Sequence, residues 1–292
     1  MIISVYLPLL AGCLLAWLGP RAARRLSPPA ATRLLAGCAV FSAAATAGTL
    51  ILLCVGGLIN AFSTAPHSAG GLPVRDPVPW PTGVAAAVVL AVMAVRLVRA
   101  VRREWRMLGA LRDLVSGCGE GLMVLDDPRP YAYAVPVGHG TIVVSTAMMA
   151  TLSPAERRAL LAHEQAHLDH GHHGYGVAVA AAVAFNPLLG GIRRELKLQI
   201  ERWADESAAQ QVTRPVTARS LARAALAAVT APAAALAYAN SNIRERLAAL
   251  ADTPAPSRWD AVVPAAVISL AATATLLDAS RACFRILELV SQ

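Results

Sequence analysis

Two histidines and one glutamate stand at a spacing that could bind a metal ion and use it. His163, Glu164 and His167 form the pattern His-Glu-x-x-His inside a stretch rich in alanine and leucine. Residues four apart share one face of a helix, so both imidazoles could bind the same ion. Glu164 could then act as a general base toward a water molecule at that ion. The pattern therefore predicts a zinc site with hydrolytic chemistry.

The start of the helix that must carry this pattern is also present in the sequence. Ser153, Pro154 and Glu156 supply an N-cap serine, a proline at the first helical position and a glutamate at the third. A loose histidine-rich tract is the alternative explanation, but it would require neither a capped helix nor a glutamate between two ligands. The remaining histidines at 170, 172 and 173 are expected to cap the helix end or to face solvent.

A catalytic zinc needs a third protein ligand, and several residues are candidates. His173 would fit a metzincin, but that pattern requires glycine at position 170 and a downstream methionine, and the last methionine is Met149. Glu201 is the preferred candidate, with Asp205 one helical turn later to accept the free N–H of a ligand histidine. Glu195 is the alternative. The donor that stabilises the oxyanion is not identified, and His139, Tyr175 and Arg246 are candidates.

The composition indicates a membrane protein. Of 292 residues, 56% are hydrophobic and only 15% are charged, which is unusual for a soluble domain. Apolar stretches at about 2–18, 34–62, 83–98 and 261–277 predict four transmembrane helices. The net charge of +8 comes largely from arginines beside these stretches. It therefore indicates membrane orientation and not a nucleic-acid interface.

The arginine clusters set the expected orientation and domain organisation. They occur in the 19–33 loop and after the third span, so both segments should face the cytoplasm. The proline-rich 63–82 stretch should be an external loop. We predict a membrane region at 1–100, a cytoplasmic zinc domain at 101–257, and a fourth span with a short tail at 258–292.

The segment before the histidine pattern should fold as a helix and a small sheet. A helix is expected at Glu104–Ser116, a strand at Gly121–Leu125, and two strands within Tyr131–Ser145. A bound peptide could extend the sheet at Tyr131–Val135 or at Thr141–Ser145. A later apolar stretch, 175–192, cannot be a full span, because that would separate the third ligand from the histidines. A core, interfacial or re-entrant helix broken at Asn-Pro is expected there.

These motifs together resemble those of known membrane peptidases. The His163–His167 pattern is followed by Glu201-x-x-Ala-Asp205, as in gluzincins, and residues 185–187 between them read Phe-Asn-Pro. With four spans, the chain resembles the BlaR/MecR-type integral-membrane metallopeptidases, without the C-terminal penicillin-binding domain of the antibiotic sensors. It resembles the HtpX/Ste24-like peptidases more distantly.

The resemblance implies a mainly α membrane protein with a small α+β gluzincin-like zinc domain between its third and fourth spans. One Zn²⁺ per chain would be bound by His163, His167 and Glu201, with Glu164 as general base and Asp205 behind a ligand histidine. The expected activity is that of a multi-pass endopeptidase of a bacterial cell membrane, acting on a protein or peptide substrate in regulated proteolysis or signalling. Its expected partners are that substrate and the bilayer, not nucleic acid, and a homo-oligomer is compatible with the sequence.

Two other functions compete with this one. An HtpX/Ste24-like quality-control peptidase would use the same residues on damaged membrane proteins. A non-catalytic, zinc-stabilised membrane signalling protein would need the ligands but not Glu164. A transporter or channel is disfavoured, because the predicted spans carry almost no ionisable residues.

Overall fold

A computed structural model describes residues 2–62, 68–69, 72–73, 78–115, 121–229, 242–252 and 258–290. The described chain is mostly helical with a small three-stranded sheet, as the sequence predicted. Most of the predicted external loop at 63–82 lies outside the described residues, as does all of 230–241.

The first part of the chain forms three long helices and a minimal hairpin: α1 (Ile2–Ala23), α2 (Pro28–Phe62), β1 (Ser68–Ala69), β2 (Leu72–Pro73) and α3 (Trp80–Val115). The middle part forms a sheet and six helices: β3 (Gly121–Leu125), β4 (Ala132–Val135), β5 (Thr141–Ser145), α4 (Thr146–Thr151), α5 (Pro154–Asp169), α6 (His172–Phe185), α7 (Gly190–Gln211), α8 (Arg214–Val229) and α9 (Ile243–Ala251). The last described helix is α10 (Val263–Val290).

Four helices within the described residues are long and apolar enough to cross a membrane, namely α1, α2, α3 and α10. All four are longer than the predicted spans, and the difference is largest for α3 and α10. The third predicted span and the separate helix expected at Glu104–Ser116 are one continuous helix, α3, because no proline interrupts the stretch after Val98 and a single glycine, Gly109, costs only about 1 kcal/mol in a helix. The expected domain boundary at 100 therefore falls inside a helix. Likewise α10 continues to Val290, where a short tail was expected.

The predicted strands are confirmed, but one expectation about them is wrong. The sheet order is β3-β5-β4, with β5 parallel to β3 and antiparallel to β4. Thr141–Ser145 is therefore the buried central strand and cannot accept a further strand. In the described part of the chain β4 forms an edge of this sheet, so only β4 remains of the two segments proposed for peptide binding.

Helices α6 and α7 form a hairpin that packs among the long apolar helices. The Asn186 side chain at its tip donates a hydrogen bond to Thr46 of α2 (3.2 Å), and Arg96 of α3 donates to the carbonyl of Ala184 (3.0 Å). Helix α6 has 14 residues, or about 21 Å of length, which is too short to span a bilayer core of about 30 Å. The hairpin instead buries Leu189 and Ile192 in the same hydrophobic core as the ends of α1 and α2.

The start of α5 is fixed as the sequence predicted. The backbone N–H of Ser153 donates a hydrogen bond to Glu156 (2.9 Å), which is the return half of a capping box. Glu156 is buried and also accepts a hydrogen bond from Arg223 of α8 (2.9 Å), and its carbonyl accepts one from Ser220 (2.8 Å). These contacts tie α5 to α8 and fix the helix that carries the two histidines.

Candidate metal centre

Helices α5 and α7 pack face to face and bring the predicted ligands together. Ligand atoms of His163, His167 and Glu201 all lie within 4.8 Å of one another, and in the described chain this is the one group of three or more His, Cys, Asp or Glu residues with such an arrangement. The two histidine Nε2 atoms are 3.2 Å apart. The Glu201 carboxylate lies 3.5 Å from Nε2 of His163 and 3.8 Å from Nε2 of His167.

This geometry fits a tetrahedral metal ion. Two imidazole nitrogens on one zinc ion, at the usual bond length and tetrahedral angle, are about 3.3 Å apart, and the observed separation is 3.2 Å. Two histidines and one carboxylate are a common ligand set of catalytic zinc, which leaves a fourth position for water or substrate. The three side chains could therefore hold a zinc ion.

The Nδ1 atoms of His163 and His167, on the other side of each ring from the proposed ligand atom Nε2, have partners that orient the rings. Asp205 Oδ1 lies 3.0 Å from Nδ1 of His163, the arrangement expected from the Glu201–Asp205 spacing. Nδ1 of His172 lies 3.0 Å from Nδ1 of His167, so one of these two nitrogens must carry the shared proton. A hydrogen bond to the outer nitrogen fixes the tautomer and orientation of a metal-binding histidine.

His172 is the residue that the sequence interpretation misjudged. It was expected at a helix end or in solvent, but it is only 2% exposed, and its second ring nitrogen has no hydrogen-bond partner in the described chain. The cause is Gly171, whose φ of +60° ends α5 and turns the chain back into the core. A glycine directly after the histidine helix was the available signal.

Arg246 of α9 joins the two carboxylates of α7. Its guanidinium donates two hydrogen bonds of 2.7 Å to Asp205 and lies 2.9 Å from Glu201. Arg246 is buried, as is Asp205. Burial alone would raise the pKa of Asp205, but the hydrogen bonds from Arg246 and His163 outweigh it and lower that pKa. Arg246 is thus a structural partner of the acidic pair, the role that the sequence interpretation favoured over that of an oxyanion donor.

The histidines differ in their protonation. Burial lowers the pKa of His163, but hydrogen bonds to Asp205 and Glu201 outweigh burial and raise it to about 10. Burial and the neighbouring His163 lower the pKa of His167 to about 4. Burial also lowers the pKa of His172 to about 3. At neutral pH the charge of this histidine cluster therefore resides on His163, between two carboxylates.

Glu164 lies between the histidine helix and the sheet. Its carboxylate accepts a hydrogen bond from the backbone of Ala134 in β4, and burial raises its pKa. A carboxylate with a raised pKa takes up a proton more readily near neutral pH, as a general base must. The edge of β4 and the Glu164 side chain therefore face the same space.

The other sequence candidates lie apart from this cluster. Glu195, the alternative ligand, is buried in an ion pair with Arg24 (3.0 Å), and His173 lies 3.6 Å from Glu104. Tyr175 packs near the Trp203 ring, with 6.4 Å between centroids. His139 is exposed in the turn between β4 and β5.

Comparison with known proteins agrees with this site. Residues 119–248 match the family model of peptidase family M48, and the matched region runs from the sheet to α9 and contains every residue of the cluster. No curated protein and no solved structure matches the chain. The family match supports a metallopeptidase of family M48. The BlaR/MecR-type and HtpX/Ste24-like assignments stay predictions from the sequence.

Replacing Arg246 should destabilise the protein strongly. Arg246→Met removes one of the two cations beside Asp205 and Glu201, and breaking the buried ion pair with Asp205 costs about 3–5 kcal/mol. Arg244→Met removes an exposed arginine from the same helix and is the matched control. Thermal unfolding in detergent should show a much lower midpoint for Arg246→Met only. Equal midpoints for the two variants would contradict the role assigned to Arg246.

Replacing His172 should weaken metal binding without removing a ligand. His172→Leu deprives His167 of its orienting partner, and loss of such a contact lowers metal affinity by about 10–100-fold. His173→Leu, next to it and outside the cluster, is the control. Competition with a chromogenic zinc chelator gives both affinities. Unchanged affinity in His172→Leu, with the fold intact, would show that the contact between the two histidines does not matter.

Proposed function

We propose that this chain is a membrane-embedded, zinc-dependent endopeptidase that hydrolyses peptide bonds of a protein substrate. The convergence of His163, His167 and Glu201 beside Glu164 carries this proposal. The match to peptidase family M48 supports the reaction class. The four long apolar helices are compatible with a membrane location.

Each residue of the cluster has a defined task in this proposal. His163, His167 and Glu201 would hold a zinc ion, which when bound supplies a Lewis acid for the scissile carbonyl and lowers the pKa of water. Glu164 takes the proton from the attacking water and delivers it to the leaving amine. Asp205 and His172 keep the imidazoles oriented, and Arg246 keeps Glu201 and Asp205 in place.

The substrate would bind as an extra strand on β4. The N–H of Ala134 donates to Glu164, so the backbone groups of Ala132 and Ala134 are the ones that point away from β5. An extended peptide would pair with Ala132 and with the carbonyl of Ala134, and would run past Glu164, the general base. Backbone pairing recognises any extended chain, and side-chain pockets then select the sequence.

The zinc domain would face the cytoplasm. Arginines follow the end of α1 and occupy the second half of α3, and such clusters favour the cytoplasmic side of a membrane. The tip of the α6–α7 hairpin, at Asn186, reaches only to Thr46, near the middle of α2. The rest of the hairpin, with α5, therefore lies toward the start of α2, which is the end of the bundle where both arginine clusters lie. The catalytic centre would therefore lie close to the cytoplasmic membrane surface.

Loss of Glu164 should abolish cleavage but keep the metal. Glu164→Gln cannot take up the proton, and loss of a general base lowers turnover by about 10²–10⁴-fold. Glu206→Gln, on α7 but paired with Arg214, is the control. Cleavage of the chain itself or of β-casein is measured in nanodiscs, with zinc content determined on the same samples. Zinc bound by every variant together with unchanged turnover in Glu164→Gln would exclude the mechanism. Cleavage absent even from wild type, with unfolding on zinc removal, would favour the non-catalytic signalling protein.

A proline on the outward edge of β4 should block the substrate. Ala132→Pro removes an outward N–H without disturbing the pairing of Tyr133 with β5, and proline is tolerated on edge strands. We expect a raised KM for casein, with zinc content and thermal midpoint unchanged. Ala132→Val, which keeps the N–H, is the matched control. A KM equal to that of wild type in Ala132→Pro would place the substrate elsewhere.

A further inference from the structure

A groove outside the metal centre is formed where α2 meets the start of α6. Its volume is about 610 Å³, and it is lined by Arg33, Ala36, Gly37, Val40, His170, Gly171, Gly174, Tyr175 and Ala178. None of these side chains belongs to the ligand set described above. The groove therefore needs an explanation of its own.

The groove is open because glycines stand where larger side chains would fit. A Cβ atom built on Gly37 or on Gly174 would meet no other atom within 4 Å. Both positions are exposed, although the neighbouring helices pack tightly beneath them. Glycine within a helix costs about 1 kcal/mol relative to alanine, so these open positions lower helix stability without improving the packing.

The lining is polar at one end and apolar at the other. Arg33 and Val40 are two turns apart on α2, a rise of about 10 Å. The Arg33 guanidinium is exposed, contacts the Trp203 ring at 5.5 Å, and has no carboxylate partner in the described chain. The opposite end, at Val40 and Ala178, offers only aliphatic surface. An occupant that matches both ends must carry an anionic head and an apolar tail.

The direction of the groove matches one leaflet of a bilayer. Arg33 lies near the end of α2 that follows the arginine-containing turn after α1, whereas Val40 lies deeper along the apolar helix. In the orientation proposed above, the cationic end lies at the cytoplasmic headgroups and the apolar end points toward the bilayer centre. Arginines at this depth attract anionic lipid headgroups.

The same groove also contacts residues that lead to the metal centre. His170 lines it and stacks on Trp203, with 4.6 Å between ring centroids and an angle of 19°. Trp203 in turn packs against His172, the partner of His167. An occupant of the groove would therefore touch the turn just before His172, the residue that orients the proposed ligand His167.

We propose that this groove binds one anionic phospholipid of the cytoplasmic leaflet, with its phosphate at Arg33 and an acyl chain along Gly37 and Val40. This inference uses the proposed orientation but not the peptidase activity. It assigns a specific lipid site and not merely a location in the bilayer.

Lipid retention tests the site without any cleavage assay. The full chain is placed in equimolar phosphatidylglycerol and phosphatidylcholine, purified into mild detergent, and its bound lipid is counted by native mass spectrometry. Wild type should retain phosphatidylglycerol in preference to phosphatidylcholine. Arg33→Gln should lower that retention about fivefold, the effect of one arginine at a membrane surface. Arg102→Gln, an exposed arginine of α3 outside the groove, should not.

Filling the groove tests the position of the acyl chain. Gly37→Leu and Gly174→Val should lower retention as Arg33→Gln does, and both positions have room for the added atoms. Thermal midpoints and zinc content show which variants are folded. If one of the two glycine variants does not fold, the other still tests the position of the acyl chain. Equal losses in Arg33→Gln and Arg102→Gln would overturn the proposal, as would unchanged retention in both folded glycine variants. Displacement of the lipid by soluble glycerol 3-phosphate would show that the acyl chain contributes nothing and would also overturn it.

Discussion

One guanidinium group, that of Arg246, holds together the acidic half of the metal centre. It lies in the core between α7 and α9 and contacts both carboxylates that α7 directs toward the histidine helix. Two carboxylates one helical turn apart repel each other, and burial of Asp205 is costly unless a cation compensates. The guanidinium of Arg246 contacts both carboxylates and offsets this repulsion. With protonated His163 on the other side, it allows Glu201 and Asp205 to lie close together.

The position of α7 depends on a second constraint, the packing of a broken apolar hairpin among the long helices. The Asn-Pro break lets α6 turn back, so that Leu189 and Ile192 enter the core shared with α1 and α2. A single unbroken helix over this length would direct Glu201 away from His163. The hairpin therefore has two effects: it packs the domain that carries the candidate metal centre against the long apolar helices, and it returns α7 to the partner face of α5.

The parts of the site that sequence predicted are those encoded by local spacing. Four-residue steps bring His163 to His167 and Glu201 to Asp205, and the Ser153–Glu156 cap fixes where the first helix begins. The parts that it missed depend on contacts distant in sequence. His172 is buried because the chain turns at Gly171 and because its ring then packs against Trp203 of α7. Strand β5 is central because it pairs with β4 on one side and with β3, in parallel, on the other. The residue pattern within each strand does not indicate which strands pair.

The charges around the three ligand atoms are compatible with a divalent cation when Glu164 is included. Glu201 and Asp205 have lowered pKa values and are charged, and Arg246 with protonated His163 neutralises them. A divalent cation at the ligand atoms would take the place of the His163 proton and leave one excess positive charge. Ionised Glu164 would balance it, although burial alone raises the pKa of that carboxyl. The same cation that the ligands attract would thus keep Glu164 in the form that a general base requires.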